Sequence, residues 1–574
     1  MKARQVHSRP SQAGYALLLA LVFVGVSLLL LTSLLQWTSG NTMLTDRNNA
    51  YNRAVGAAEA ATEIVLSHIT RDFVNQSFDP ANLGGYRSLV PTTDWAAEYE
   101  FSDGAGAVNQ TWVDSSPTRV LTNLDSQFAG LYGLVYVCST RANAKSLSTT
   151  YSNLAVAVRQ DFQLASIPIF QFAIYYAMDL EINPTFSMTV IGKVHGNADI
   201  YASPGYKLEF VDAVGAVGKI YNHRHPSDPN PSSVFTPDYD SLHQEKVSSL
   251  TLPIGANHSP ADVQQAILDP PPAGENSTST LGKQRYYNKA ELLILVSDAN
   301  VTVQVRKLGG FDNSPTIVDW TNAAVFISTN KVFFDQREGD YMKTTEIDVA
   351  NLRTWAASDP TVINKLGSGN SPNLVYVADN RSTTSTTNTA VRVVNGTSLS
   401  LRGLTVATPQ PLYIEGNFNA PNFGSPKPAS LVGDSITILS NGWSDHESDE
   451  PLSSRNAKDT TVNAAILAGI VPSTTDASGV KHYSGGVENF PRLLEDWGGH
   501  TFTFNGSMVA MFPSRYATNF WVSPDDAGPY YKAPIRNWAF DVNFLNWDKL
   551  PPGTPQVQKL VRNQWRVVAA NSPN

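Results

Sequence analysis

The chain has 574 residues, with 41 Lys and Arg against 50 Asp and Glu, a formal net charge of −9. That mildly acidic balance argues against a nucleic-acid partner, whose phosphates call for clustered cations. The single cysteine, Cys138, excludes an internal disulfide, and 42% hydrophobic content is that of a globular chain, not a disordered stalk.

Residues 1–14 form a basic leader carrying Lys2, Arg4 and Arg9, with His7 among them. An apolar run follows from Gly14 to Trp37, and no charge falls between Arg9 and Asp46. About 20 apolar residues in a helix span the hydrocarbon of a bilayer. Ser27, Thr32 and Ser33 can bond back to their own helix carbonyls, and Trp37 sits where an interfacial aromatic belongs. The basic flank predicts a cytoplasmic amino terminus and a periplasmic or extracellular bulk, in a single-pass protein of a bacterial inner membrane. A cleaved secretory signal and a buried core helix are the alternatives. A secretory apolar region is shorter and ends in an A-x-A-like site, which does not follow Leu35.

The helix is expected to run on to about residue 75. Residues 41–74 contain no proline and one glycine, Gly56. Apolar residues recur there at helical spacing: Tyr51, Ala54, Val55, Ala58, Ala61, Val65, Ile69 and Phe73. Asp46, Arg47, Arg53, Glu59, Glu63, Arg71 and Asp72 supply a polar face. A membrane helix continuing as an amphipathic stalk is the plan of type IV pilins and pseudopilins.

Two short motifs carry a resemblance. Residues 12–18, Gln-Ala-Gly-Tyr-Ala-Leu-Leu, are similar to the start of PilX-type pilus-assembly proteins, and Ala57-Ala58-Glu59-Ala60-Ala61 is similar to the alanine-rich element that follows there. The resemblance covers residues 12–72. It implies cleavage after Gly14 by a prepilin peptidase, methylation of the new amino terminus on Tyr15, and other pilin-like subunits as partners through the amino-terminal helix. The chain departs from major pilins at Leu19, where they carry a glutamate. That carboxylate balances a neighbour's terminal ammonium in lipid, where an unpaired charge is costly. The departure points to a minor subunit or assembly component of a type IV pilus or type II secretion-like system.

Beyond the stalk, residues 76–165 read as a mixed β-rich domain and residues 166–574 as a β-rich exterior. The 38 glycines and 35 prolines suit many turns. Short strand-like runs at 190–201 recur at 208–221, and similar runs stand at 398–406, 411–419, 431–440, 462–469 and 501–511. This rhythm predicts a mainly β fold, with the exterior a right-handed β-helix-like solenoid carrying insertions near 222–300 and 444–461. β-Sandwich domains are the alternative. A strand is expected within 287–299, a helix at 345–357, and a helix within 483–497 closed by Gly498 and Gly499.

Candidate chemistry is sparse. His195 stands at a predicted strand end, and His223 and His225 form an H-x-H pair without a third ligand at a recognised spacing. Asp199, Asp212, Asp434 and Asp445 are the carboxylates that a polysaccharide lyase or hydrolase on a solenoid would align. Residues 445–450 are rich in oxygen ligands but lack calcium-loop periodicity. Trp521, Trp538, Trp547 and Trp565 suggest either an aromatic cap or a sugar-binding platform, the latter with Gly485, Gly486, Asn489, Arg492 and Trp497 as its test positions. The reading assigns no catalytic, cofactor-binding or metal residue. It expects no cofactor and a structural protein, with a surface glycan as a further candidate partner and a surface-anchored adhesin or polysaccharide-active enzyme as the alternative classes.

Overall fold

The computed structural model describes residues 13–254, 259–308, 314–524 and 529–570. Residues 1–12, which hold most of the basic leader, lie outside them. The fold is mainly β with one long amino-terminal helix, α1 (Ala13–Val74), of 62 residues. At about 1.5 Å per residue α1 is roughly 90 Å long, several times the reach of an ordinary domain helix. Its first part, residues 15–49, is exposed on every side. Its second part is packed.

The partner of that second part is an antiparallel sheet. Strands β1 (Tyr99–Ser102), β2 (Trp112–Ser115) and β3 (Val120–Asn123) all pair with the long β4 (Tyr132–Ser146), which pairs with β5 (Ala155–Pro168). The far edge of β5 is filled by Gln556–Val568, from the other end of the chain. The sheet order is therefore β1, β4, β5 and this carboxy-terminal strand. The whole exterior is inserted between two neighbouring strands of the sheet that carries the helix.

After β5 the chain enters short parallel strands. Ile174–Tyr176, Val194–Gly196, Val214–Ala216 and His243–Glu245 stack in one sheet. Leu180–Ile182, Ile200–Ala202 and Ile220–Tyr221 stack in a second, and Met188–Val190, Leu208–Phe210 and Asp238–Tyr239 in a third. The register is 20 residues over the first two repeats, so like meets like: Ile174, Val194 and Val214 align, as do Leu180, Ile200 and Ile220. Each step buries apolar side chains against the next, as stacked repeats require. Asp179 accepts from the Asp199 amide at 3.0 Å, and Asp199 from the Lys219 amide at 2.7 Å, so the turns are tied at the same period.

The rest of the exterior joins this stack from the opposite end. Leu292–Val296, Leu374–Asp379, Leu404–Ala407, Ala429–Gly433, Ala465–Ile470 and Met508–Pro513 pair in parallel in that order. Met508–Pro513 then pairs with Ile174–Tyr176, where the first stack began. The two stacks thus meet in the middle of one twelve-stranded sheet, and one hydrophobic core runs through both. The segment between His243–Glu245 and Leu292–Val296 carries the chain from one end to the other; on the way its helix Pro260–Leu268 packs on Met508–Pro513.

Several local expectations are corrected. The sheets are open and separate, and Val301–Val305 and Thr316–Val318 add antiparallel strands at one edge, so the exterior is not one closed, regular solenoid. The helix near 345–357 starts later, at Val349–Ser358, because Asp348 caps it through the Asn351 amide at 2.8 Å and residues before it extend the strand Asp340–Asp348. Residues 483–497 hold a single tight turn, Val487–Asn489, and then the strand Arg492–Leu493. That strand pairs with Ile436–Leu439, and the pairing outweighs local helix preference.

Candidate functional site: an exposed helix fixed to its own sheet

The stretch 15–49 combines length, apolar character and exposure as no other part of the fold does. Tyr15 is 85% exposed and Trp37 68%. Among the described residues, α1 alone is long and apolar enough to cross a membrane. A bare apolar surface of this length calls for lipid or for other apolar helices. Gly14 lies in the first turn of α1, one residue before the exposed Tyr15. Leu19 is exposed as well, with no carboxylate at its position.

The helix changes character near Ala54. Ala54, Ala57, Ala58 and Ala61 are fully buried against Tyr99, Phe101, Ala142, Ala144, Val156 and Val158. The absence of a bulky side chain lets the helix backbone approach the sheet closely. One turn further on, Val65, Leu66, Ile69 and Phe73 fill a wider gap against Leu83, Val113, Phe162 and Leu164. The alanine-rich element is therefore packed on the chain's own sheet, and residues 15–49 are the stretch of α1 left bare on every side.

Polar contacts lock the register. Gln160 donates to Thr62 Oγ1 and to Glu63 Oε1, both at 2.9 Å. Arg562 on the carboxy-terminal strand grips both carboxylate oxygens of Glu63 at 2.6 and 2.7 Å. Arg53 pairs with Glu98 at 2.6 Å before the sheet begins.

The other sequence candidates do not converge on one site. His195 is buried, stacks on Tyr175 at 5.5 Å and bonds Asn197 at 2.9 Å; burial pushes its imidazole down to about 4. His223 bonds the Arg224 carbonyl at 2.8 Å, and His225 sits edge-on to Tyr201. Asp212 accepts from the Gly192 amide at 2.8 Å. Asp434 is fully buried, held by Gln264 and by the amides of Arg515, Tyr516 and Ala517. Asp445 is clamped by Arg392 at 2.5 and 2.9 Å. Among the described residues, no group of three or more His, Cys, Asp and Glu side chains is placed to hold a metal ion.

The tryptophans separate. Trp497 is fully buried, Trp538 packs on Phe502 and Phe504, and Trp521 bonds the Tyr531 hydroxyl at 3.0 Å. Asn489 is held by Tyr531 at 2.6 Å and Arg492 by Glu338 at 2.7 Å, while Gly485 and Gly486 take positive φ next to Trp521 and Tyr483. These groups lie beside the junction of the two stacks, where Asn183 donates to the Tyr483 hydroxyl at 3.1 Å and Phe490 packs near Tyr176. Trp565 lies on the stalk sheet, and Trp547 lines a cavity beside it. The sequence reading missed that cavity, because residues from four distant stretches build it.

No protein-family model matches the chain, and no curated protein matches it. Among solved structures it is similar to the competence-associated pilin ComZ from Thermus thermophilus, with 12% identity over 90% of this chain and 97% of that one and a TM-score of 0.29.

Proposed function

We propose that this chain is a membrane-anchored, minor pilin-like component of a type IV pilus or a type II secretion-like system, with its amino terminus in the cytoplasm and its bulk outside. The observation that carries the reading is α1 itself: a bare apolar segment, residues 15–49, continuing without a break into a segment welded to a sheet. A rigid joint of this kind transmits the position of the membrane helix to the exterior. The motif around Gly14 and Tyr15 and the alanine-rich element support the PilX-like assignment. The missing glutamate at Leu19 and the large inserted exterior support a minor position over a repeating fibre subunit.

The exterior is read as a scaffold, not an enzyme. Asp199, Asp212, Asp434 and Asp445 each serve amides or an arginine of their own framework. The 20-residue parallel register of residues 174–221 supports a solenoid-like plan for that half.

Mass spectrometry of the full chain extracted from membranes tests the reading. A mature chain beginning at methylated Tyr15, lost on Gly14→Val, is the expected result. A chain beginning beyond Thr38 would mean the run was a secretory signal and would end the proposal.

A further inference from the structure

A cavity of about 480 Å³ lies where the last turn of α1, the stalk sheet and the exterior meet. That volume is within the range of small-molecule sites. Three cations line it, Arg119, Lys283 and Lys289, and none of its described lining residues is Asp or Glu. In a chain of net charge −9 this concentration of positive charge is a local reversal. None of the three joins an ion pair among the described residues. Lys283 donates to the Gln76 carbonyl at 3.2 Å, Lys289 lies 3.5 Å from the Gly553 carbonyl, and Arg119 rests over the Tyr136 ring. Burial pushes the Lys289 ammonium down to about 8, and its other close neighbour is the Tyr286 ring, 5.1 Å from Nζ.

The rest of the lining narrows the ligand. The side-chain amides of Gln284 and Gln556 reach the cavity without a hydrogen-bond partner among the described residues, and each offers both a donor and an acceptor. Trp547 adds an aromatic residue to the lining. A bare inorganic anion would answer the cations and leave the amides and the ring unused. A neutral sugar would answer the amides and the ring and leave the cations unpaired.

We propose that this cavity binds an acidic sugar residue, its carboxylate held by Lys289 with Lys283 and Arg119, its hydroxyls by the glutamine amides and its ring against Trp547. The site does not depend on whether the chain enters a filament, since it is complete within one copy. It gives a surface-exposed assembly a grip on acidic polysaccharide.

Isothermal titration of the full chain in detergent with galacturonate and tri-galacturonate tests this, with galactose and inorganic phosphate as controls. The expected result is one site per chain for the uronates, with galactose and phosphate at least tenfold weaker. Lys289→Met and Trp547→Ala should each weaken uronate binding at least tenfold with the thermal midpoint retained. Should Lys289→Met fail to fold, Arg119→Gln, at an exposed rim position, carries the charge test. Equal binding of galactose, equal binding of phosphate, unchanged affinity in Arg119→Gln, or no uronate binding at all would each overturn the assignment.

Discussion

Glu63 and Arg562 stand 499 positions apart and form a two-pronged ion pair at 2.6 and 2.7 Å. One lies on α1, the other on the strand that returns after the whole exterior. The pair is partly solvent-exposed, so its own worth is modest, about 0.5–1 kcal/mol. Gln160 bridges it to Thr62 and adds to the cost of breaking it. Glu63→Ala and Arg562→Ala should each lower the thermal midpoint, and the double variant should lose less than the sum. Additivity in that cycle would show that the two side chains do not cooperate.

The close contact at Ala58 predicts steric intolerance. Ala58→Leu inserts three carbons where no space exists between helix and sheet, at a cost of about 1–3 kcal/mol. Ser67→Leu, at an exposed position of the same helix, is the control. Limited proteolysis should release the helix from the sheet in the first variant and not in the second. Equal resistance in both would contradict the packing.

Three buried carboxyls set a pH response. Burial pushes Glu181, Glu488 and Glu495 up to about 7, against about 4.5 when unfolded. Between those values the folded chain holds protons that the unfolded chain has lost, so stability falls as pH rises and levels off above 7. His195, lowered to about 4, acts in the opposite sense only below about 6.5. From pH 6.5 to 8 the carboxyls therefore dominate, each contributing roughly 1 kcal/mol of lost stability, while Lys289, held down to about 8, offsets a small part near the upper end. The thermal midpoint should drop over that interval, and Glu488→Gln should make the drop shallower by about a third. A flat profile in the parent chain would refute the assignment.

Cys138 is buried, and burial pushes its thiol up to about 12 despite a hydrogen bond to Ser115. The thiolate is the reactive form. The native chain should resist an aromatic disulfide reagent at pH 8 and react with one equivalent in denaturant. Rapid native labelling would place this strand differently.

The long helix was legible in the sequence because its signals are local: an uncharged run up to Trp37, then apolar residues at helical spacing to Phe73. The repeat at 190–221 was legible for the same reason, with strand and turn residues returning after 20 positions. The meeting of Met508–Pro513 with Ile174–Tyr176 was not, because nothing in either strand names its partner. The packing of the alanine-rich element on the chain's own sheet was not legible, since small residues suit any close approach and only the sheet beside it decides which. The cavity escaped for a related reason: Arg119, Lys283, Lys289 and Trp547 come from unconnected stretches, and each alone is an ordinary surface residue.

The strand Gln556–Val568 covers one edge of β5 with a partner made 392 positions after Ser166, at the Ser166–Gln558 contact. A ribosome therefore releases the helix, five strands and the entire exterior before that edge can close. Until then β5 presents unpaired amides and carbonyls, an invitation to foreign strands. A message broken late would yield a chain with a formed stack but an open seam beside α1. Completion of the stalk sheet thus waits on synthesis of the whole exterior, and a chain cut short within it keeps an open edge on β5.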